Sequence, residues 1–232
     1  MCRKLMLLIS FISALFLVNS VSARDIHWDD GGADHSWCTP ANWIPDNVPN
    51  SVDTVYIDPP PYQGPVIDCV VDVNNVFGPI YQATDASQSM DIVSGPVTIK
   101  QWWAVVADGS GTATVNISGG TVTVGGFTGE YAWTPKLRDN MSLEPYESIG
   151  GQNKKTIINL TGDADVTIRT NEVGILLAKE ENSELEMNIS GNAKLQIPCG
   201  KRAWLVANDG MAVVNISDNV QVSLGGRMSF CD

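Results

Sequence analysis

Apolar and polar side chains alternate with a period of two along most of the chain after residue 24. In AVVNIS, residues 212–217, Val214 and Ile216 point to one side and the polar residues that follow each of them point to the other. This alternation, with β-branched residues and with Gly, Asn and Asp between the runs, is typical of β-strands. No stretch beyond residue 24 keeps a helical period, so the pattern predicts an all-β chain.

A short motif recurs along the chain with an asparagine and a hydroxyl residue at fixed places. VNISGG at 115 has counterparts in INLTGD at 158, MNISGN at 187 and VNISDN at 214, and a weaker one in DIVSGP at 91. With the Ser or Thr as the marker, the weaker copy is aligned on Ser94 and the steps are 24, 43, 29 and 27 residues. Periods of about 20 to 50 residues indicate a repeat architecture. Each unit reads as three short strands, and the strand ahead of the marker is seen in WAVVADGSG at 103, GILLAKEEN at 174 and WLVANDG at 204.

Two all-β arrangements fit such units. One is a parallel β-helix, a β-solenoid in which each strand pairs with its equivalent in the next coil. The other is a sandwich of antiparallel hairpins that turn at Ser-Gly-Gly. The recurring residue types favour the solenoid, because equal positions in successive coils become stacks. We expect inward apolar residues at 115, 158, 187 and 214, and a ladder of hydrogen-bonded amides formed by Asn116, Asn159, Asn188 and Asn215.

The units VVADGSGTATVNISGGTVTVGG and WLVANDGMAVVNISDNVQVSLGG resemble the repeats of secreted bacterial surface proteins and autotransporter passenger domains. Those domains are similar in fold to the pectin-lyase-like right-handed parallel β-helices. The opening, WDDGGADHSWCTPANWIPDNVPNSVDTVYI, resembles the block that often begins them, with matches at Trp37, Asn42, Trp43, Pro49, Asp53 and TVYI. The resemblance implies a right-handed parallel β-helix with an N-terminal capping segment rich in Trp and Pro, and it specifies fold rather than activity.

The first residues have the composition of a secretory signal peptide. Arg3 and Lys4 precede an apolar stretch, residues 5–18, and small residues follow up to Ala23. That stretch is shorter than the roughly 18 to 20 residues that span a bilayer. We therefore predict cleavage after Ala23 and a secreted, extracellular or cell-surface location. The predicted organisation is a signal peptide at 1–23, a cap with the first strand at 24–65, and repeats at 66–232 with an insertion at 127–150.

Charge narrows the possible partners. Loss of the two basic residues of the signal peptide takes the formal net charge from −12 to −14. Nucleic acids and anionic membranes are bound through clusters of Lys and Arg, so neither is an expected partner, and no membrane insertion is expected after cleavage. Four cysteines remain, an even number that suggests disulfides in an exported chain. Of three possible pairings, the local one is favoured, Cys38 with Cys69 and Cys199 with Cys231.

Aromatic residues offer the possible ligand contacts. Trp37 and Trp43 suit a capping lobe, with stacking on sugars as the alternative interpretation. The insertion mixes aromatic residues with both signs of charge and carries Tyr131 and Trp133, which suit a glycan or protein contact or a loop packed on the coil. These four aromatics are the candidate carbohydrate-binding residues.

Candidate chemistry is sparse. An enzyme of the pectin-lyase-like type would cluster aspartates on one outer strand face, and the best set available is Asp163, Asp165 and Arg169. Turn formation and solvated strand charge are the alternative for these three. His27 and His35 have no third metal ligand placed beside them, so no metal site is predicted. The run DDGGADH could offer oxygens to calcium, although it lacks the spacing of an EF-hand.

These observations predict a secreted or cell-surface β-solenoid with a structural or adhesive role and no catalysis. Polysaccharide lyase or glycoside hydrolase activity is the alternative from the enzyme class, and a carbohydrate-binding module is the third. No cofactor is expected. The expected partners are glycans or other surface proteins, with end-to-end stacking of coils or membership of a longer chain.

Overall fold

The computed structural model describes residues 22–57, 63–78, 87–104, 112–124, 147–149, 155–169, 175–177, 184–198 and 211–224. The all-β prediction is confirmed, since the described chain contains strands and one short 3-10 helix at Pro40–Asn42. The N-terminal strands are β1 (Asp25–Trp28), β2 (Trp43–Ile44), β3 (Thr54–Ile57), β4 (Val66–Ile67), β5 (Val71–Phe77), β6 (Gln88–Ile92), β7 (Pro96–Ala104), β8 (Thr112–Ile117) and β9 (Thr121–Val124).

The remaining strands continue the same order along the chain. They are β10 (Glu147–Ile149), β11 (Lys155–Leu160), β12 (Asp165–Ile168), β13 (Ile175–Leu177), β14 (Glu184–Ile189), β15 (Lys194–Ile197), β16 (Met211–Ile216) and β17 (Gln221–Leu224). β10 lies inside the predicted insertion, so part of that segment returns to the array. The division of the chain at residues 23 and 65 stays a prediction, and residues 1–21 lie outside the described residues.

The strands form three sheets in which neighbours come from successive units. A nine-stranded sheet has the order β17-β15-β12-β9-β7-β5-β3-β1-β2, a six-stranded sheet the order β16-β14-β11-β8-β6-β4, and a third pairs β10 with β13. Described neighbours are parallel except β1 and β2, which are antiparallel. Parallel pairing between units, rather than within a hairpin, is the pattern of a solenoid. The β-solenoid prediction is therefore confirmed over the sandwich.

The register aligns the recurring motif in all of its strong copies. In the six-stranded sheet Asn159 is opposite both Asn116 and Asn188, and Asn188 is opposite Asn215. The weaker copy is different, because Asp91 is the residue opposite Asn116. The alignment on Ser94 is therefore wrong by one residue. Strand pairing, which follows the buried residues of each strand, sets the register here, and the hydroxyl marker does not.

Two long strands, β5 and β7, join the two parts of the nine-stranded sheet. The first part of β7 pairs with β9 and with Val71–Val73 of β5, while its last three residues pair with the end of β5, which in turn pairs with β3. The pairing of β5 with β7 shifts register between Val73 and Asn75. Strands are therefore present in the segments at 103 and 174 that were predicted to hold the strand ahead of the marker, but at Trp103 the strand continues β7 without a break. The predicted copy at Trp204 lies outside the described residues.

Alternate residues of each strand fill the interior. β8, β11 and β14 share one pattern, in which the second, fourth and sixth residues are buried and the others are partly exposed. The predicted inward residues Val115, Ile158 and Met187 are 1%, 8% and 4% exposed. Burial of apolar side chains contributes about 25 cal/mol per Å² of buried area, so this column is one of those that stabilise the stack.

Tight turns join the six-stranded sheet to the nine-stranded sheet. Gly162 has a φ of +60°, a conformation that glycine adopts without steric cost. A Cβ at this position would come within 2.5 Å of the Ser118 carbonyl oxygen in the coil before it. Residue 162 must therefore be glycine for close approach as well as for φ. In the last described coil the equivalent turn holds Asp218 at a φ of +66°.

The N-terminal end is closed by an aromatic cluster. The Trp43 indole meets Trp28 and Trp37 edge to face, with ring centroids 4.9 and 4.6 Å apart. These three side chains are at most 1% exposed. β2 adds to β1 in the antiparallel direction and so covers the outermost parallel strand. The predicted capping segment is confirmed.

Candidate functional site

A row of asparagines follows the outer face of the six-stranded sheet. The Nδ2 of Asn159 donates to the Oδ1 of Asn116 at 2.7 Å, Asn188 donates to Asn159 at 2.9 Å, and Asn215 donates to Asn188 at 2.8 Å. The structure thus places the four predicted ladder residues together and joins each to the next. The first three are partly buried and Asn215 is exposed.

The asparagine row has a direction. Every amide nitrogen donates toward the N-terminal coil, and the row begins at Asp91, whose Oδ1 accepts from the Nδ2 of Asn116 at 2.6 Å. A carboxylate at the accepting end makes a charge-assisted hydrogen bond, which is shorter and stronger than one between neutral groups. Chains of hydrogen bonds polarise one another, so the carboxylate also strengthens the bonds behind it. Asp91 was not among the predicted ladder residues.

Charged side chains lie beside the asparagine row. The Nζ of Lys155 is 3.0 Å from the Oε1 of Glu184 and 3.2 Å from the Oε2 of Glu186. These carboxylates raise the pKa of Lys155. Hydrogen bonds from Asn188 and then from Lys155 lower the pKa of Glu186. Lys155 and Glu186 therefore stay ionised near neutral pH, and their contact connects neighbouring coils.

The chemistry of the row is that of a scaffold. Amides are neither acids nor bases near neutral pH, and each Nδ2 already donates one proton to the adjacent coil. The same asparagines stand in Asn-X-Ser/Thr sequences, the acceptor pattern for N-glycosylation. Their position within paired strands is that of a stacked ladder rather than of an exposed glycan-bearing loop.

The residues considered for catalysis lie on the outer surface near β12. Asp163 is in the turn before the strand and accepts a hydrogen bond from the Asn192 amide at 3.1 Å, and Asp165 begins the strand and accepts from Gln196 at 3.3 Å. Arg169 follows the last residue of the strand, four residues beyond Asp165. At a rise of about 3.3 Å per residue, roughly 13 Å separates their Cα atoms. The aspartates thus contact the next coil, and the catalytic interpretation of the three residues stays a prediction.

The cap tryptophans are not exposed binding residues. Trp37 is 1% and Trp43 0% exposed, and the Trp43 Nε1 donates to the Trp37 carbonyl oxygen at 2.8 Å. Stacking on a sugar requires an open ring face, so this structure leaves no place for a sugar on either residue and corrects the carbohydrate-binding interpretation of these two side chains. Tyr131 and Trp133, the other two candidates, lie outside the described residues.

The acidic run of the cap is engaged in local hydrogen bonds. Asn42 is fully buried and donates to Asp34 at 3.1 Å and to the Ser36 carbonyl at 2.9 Å. The hydrogen bond from the Thr39 hydroxyl, and then one from the Ser36 backbone, lower the pKa of Asp34. His35 contacts Asp30 at 2.6 Å. Within the described part of the chain, no three His, Cys, Asp or Glu side chains are grouped as a metal site would need.

A disulfide joins the cap to the solenoid. Cys38 and Cys69 are bonded, 31 residues apart in sequence, which confirms the first predicted pair. Near it, the Ser36 hydroxyl donates to Asp68 and the Trp37 backbone N–H donates to the Val66 carbonyl. The cap loop is thus tied to the first strand of the six-stranded sheet. Cys199 and Cys231 lie outside the described residues.

One ion pair between a buried carboxylate and a partly exposed arginine was not found by sequence reasoning. The Asp53 side chain is 0% exposed, and Arg24 contacts it through Nε at 3.1 Å and Nη2 at 2.8 Å. The Asp53 hydrogen bond raises the pKa of Arg24. A two-pronged contact of this kind matches the planar guanidinium to the carboxylate. The sequence does contain one signal for this pair, an aspartate immediately before the apolar strand TVYI. A carboxylate buried at that place needs a cation as its partner.

The last described coil is open at its far side. β16 and β17 are edge strands of their sheets, and no further described strand pairs with them. Ile216 and Val222 occupy inward positions yet are 58% and 39% exposed, and the outward Met211 and Val213 are exposed as well. Unpaired strand edges and an apolar surface therefore coincide.

Comparison with known proteins gives no relative. No protein-family model, no curated protein and no solved structure matches the chain. The fold is therefore established by the strand pairing itself, and the resemblance to autotransporter passengers and pectin-lyase-like proteins stays a prediction beyond the level of a parallel β-solenoid. Among the described residues no helix is long and apolar enough to cross a membrane.

Proposed function

We propose that the protein is an exported β-solenoid module with a structural or adhesive role and without catalysis. The observation that carries the proposal is the stack itself, in which equal residues of successive coils meet as apolar and amide columns. Such a stack resists local opening, because each interior strand is hydrogen-bonded on both edges. A rigid extension or a contact surface outside the cell is the use that fits these properties.

Export is supported by two features of the N-terminal region. Residues 1–23 have the basic start, apolar stretch and small residues of a signal peptide. The Cys38–Cys69 disulfide belongs to an oxidising compartment, where such bonds persist. Together they favour a secreted or surface location.

The rival enzymatic function finds less support. Asp163 and Asp165, the best acid candidates, accept hydrogen bonds from amides of the next coil, and Arg169 stands at the other end of β12. A hydrolase needs two carboxylates facing one another across a substrate. Instead, these turn and strand carboxylates form hydrogen bonds between neighbouring coils.

A polysaccharide screen tests the proposal. The purified chain from Arg24 onward is incubated with immobilised polysaccharides, with and without calcium, and both retention and release of reducing or unsaturated ends are followed. We expect no release from any polysaccharide. Release that disappears in the Asp163→Asn, Asp165→Asn double variant would overturn the non-catalytic role. Retention that disappears in Tyr131→Ala or Trp133→Ala would identify a carbohydrate-binding module.

The open coil supports a second part of the proposal, that a second copy of the chain stacks on this end. Residues 211–224 contain one charged residue, Asp218, although the whole chain carries a net charge of −12. Net negative charge opposes association of copies, and a contact is least opposed where few charges are brought together. The other end is covered by the antiparallel β2 and the tryptophan cluster, so copies meet through this end in a closed pair rather than a filament.

Sedimentation velocity across a concentration series tests this contact. We expect reversible association that is abolished by Ile216→Lys, which places a charge on the open apolar end. The control is Ser223→Lys, which adds the same charge at an exposed outward position of β17. A chain that stays monomeric at high concentration, or association equally sensitive to both variants, would contradict stacking through the terminal coil.

A further inference from the structure

The buried carboxylate of Asp53 holds the start of the first strand. Its Oδ1 accepts hydrogen bonds from the Arg24 backbone N–H at 3.2 Å and from the Arg24 Nε at 3.1 Å. Its Oδ2 accepts from the Arg24 Nη2 at 2.8 Å and from the Asn50 backbone N–H at 2.9 Å. Asp53 therefore binds the main chain of residue 24 as well as its side chain.

Residue 24 lies at a boundary in the chain. Ser22 and Ala23 are exposed, whereas the Arg24 carbonyl accepts a hydrogen bond from the Thr54 N–H at 2.9 Å and β1 begins at the next residue. The peptide bond between Ala23 and Arg24 is also the predicted signal cleavage site. The nitrogen that cleavage would free is thus the one that already contacts Asp53.

We propose that cleavage after Ala23 gives Arg24 a charged α-ammonium group that Asp53 captures, so that processing locks the cap onto β3. The inference rests on the proposed export. In the cleavage, water adds to the Ala23 carbonyl and the C–N bond breaks; the carboxylate leaves with Ala23, and the Arg24 nitrogen becomes an amine that takes up a proton at neutral pH. The hydrogen bond of a neutral amide becomes an ion pair.

The surroundings of Asp53 favour this change. Before cleavage one guanidinium group balances the carboxylate, and after cleavage a second cation lies on Oδ1, the oxygen that accepts from the backbone nitrogen. Among the described residues, Asp25 is next to Arg24 in the chain, and the Nζ of Lys100 donates to the Ser51 carbonyl and pairs with Asp72 at 3.3 Å. Charged donors bind a carboxylate more strongly than neutral ones do. The captured ammonium should resist deprotonation for the same reason.

Three forms of the chain test the capture. The first begins at Arg24 with a free amine, the second is the same chain with its α-amine acetylated, and the third retains Ala23, which moves the amine one residue away. We expect the first to melt about 3 °C above the other two at pH 6. The difference should shrink as the pH rises and the amine loses its proton. Equal melting temperatures at pH 6 would overturn the inference.

The Asp53→Asn variant tests whether Asp53 causes the difference in melting temperature. In that background the three forms should melt together, and a persisting difference would contradict capture. A readout that does not depend on the stability of the variant is the labelling rate of the α-amine by an amine-reactive reagent at pH 7. We expect labelling of the Arg24 form to be several-fold slower than that of the form retaining Ala23. Equal rates would overturn the inference.

N-terminal sequencing of the exported chain separates the two proposals. An exported chain that begins at Arg24 supports both. Export with a different N-terminus overturns the capture and leaves the exported solenoid standing. A chain retained in the cytoplasm overturns the proposed function, and the capture fails with it as a step of maturation even if the Arg24 form melts higher.

Discussion

The two ends of the solenoid are built from different kinds of sequence. The N-terminal end uses a non-repeating segment, in which an antiparallel strand, three tryptophans packed edge to face and a disulfide cover the first coil. The C-terminal end of the described residues is an ordinary repeat whose inward Ile216 and Val222 are exposed. A repeat therefore stabilises its neighbours but cannot close the stack, because its edges and its interior both require another layer.

The largest expected contrast is between aromatic and aliphatic truncation at the two ends. Trp43→Ala removes a fully buried ring that contacts two other tryptophans, and we expect it to lower the free energy of unfolding by about 3–5 kcal/mol. Ile216→Ala removes a side chain that is 58% exposed, and the expected loss is under about 1 kcal/mol. Urea denaturation of both variants, at a concentration at which the chain is monomeric, measures the difference. Equal losses would mean that Ile216 is buried in solution.

The disulfide should come next in size. Replacing Cys38 and Cys69 by serine removes a link that closes a loop of 31 residues, and we expect a loss of about 3 kcal/mol. Hydrogen exchange should rise in β1 and β2 and stay unchanged in β14 and β16. Uniform acceleration along the whole chain would show that the cap and the coils unfold as one unit.

The asparagine row allows a matched comparison between the middle and the end of the stack. Asn159→Ala removes one donated and one accepted ladder bond, and the expected loss is about 1–2 kcal/mol. Asn215→Ala removes a single exposed bond, with an expected loss of about 0.5 kcal/mol. Thermal unfolding of the two variants ranks them. A larger loss at Asn215 would contradict a stack that weakens toward its open end.

Acidification should affect the cap in a predictable direction. Hydrogen bonds hold the pKa of Asp34 below its ordinary value. The ionised Asp34 therefore stabilises the folded cap fully when the pH is above the ordinary pKa of an aspartate. This stability is lost as the pH falls through the lower pKa of the folded state, below about pH 4. Near-ultraviolet circular dichroism of the buried tryptophans follows the loss. In the Asp34→Asn variant the signal should depend less on pH in this range.

Local sequence patterns predict most of the fold but few of the contacts that stabilise the cap. Alternation in AVVNIS and the recurring asparagine predict strands, inward residues and a ladder, because each of these depends on equal positions in equal units. The Arg24–Asp53 pair joins residues 29 apart with no periodic signal, so only folded geometry reveals it. The start of the row at Asp91 was missed because strand register, not the hydroxyl marker, aligns the weaker copy.

The register also shows that the spacing between coils does not depend on the number of residues in a coil. Asn116 and Asn159 are 43 residues apart in sequence, whereas Asn188 and Asn215 are 27 apart, yet each pair spans one strand spacing. The pitch is set by backbone pairing, at about 4.8 Å per layer, while the circumference of a layer is free to vary. New surface can therefore be inserted between β9 and β10 during evolution without changing the height of the column.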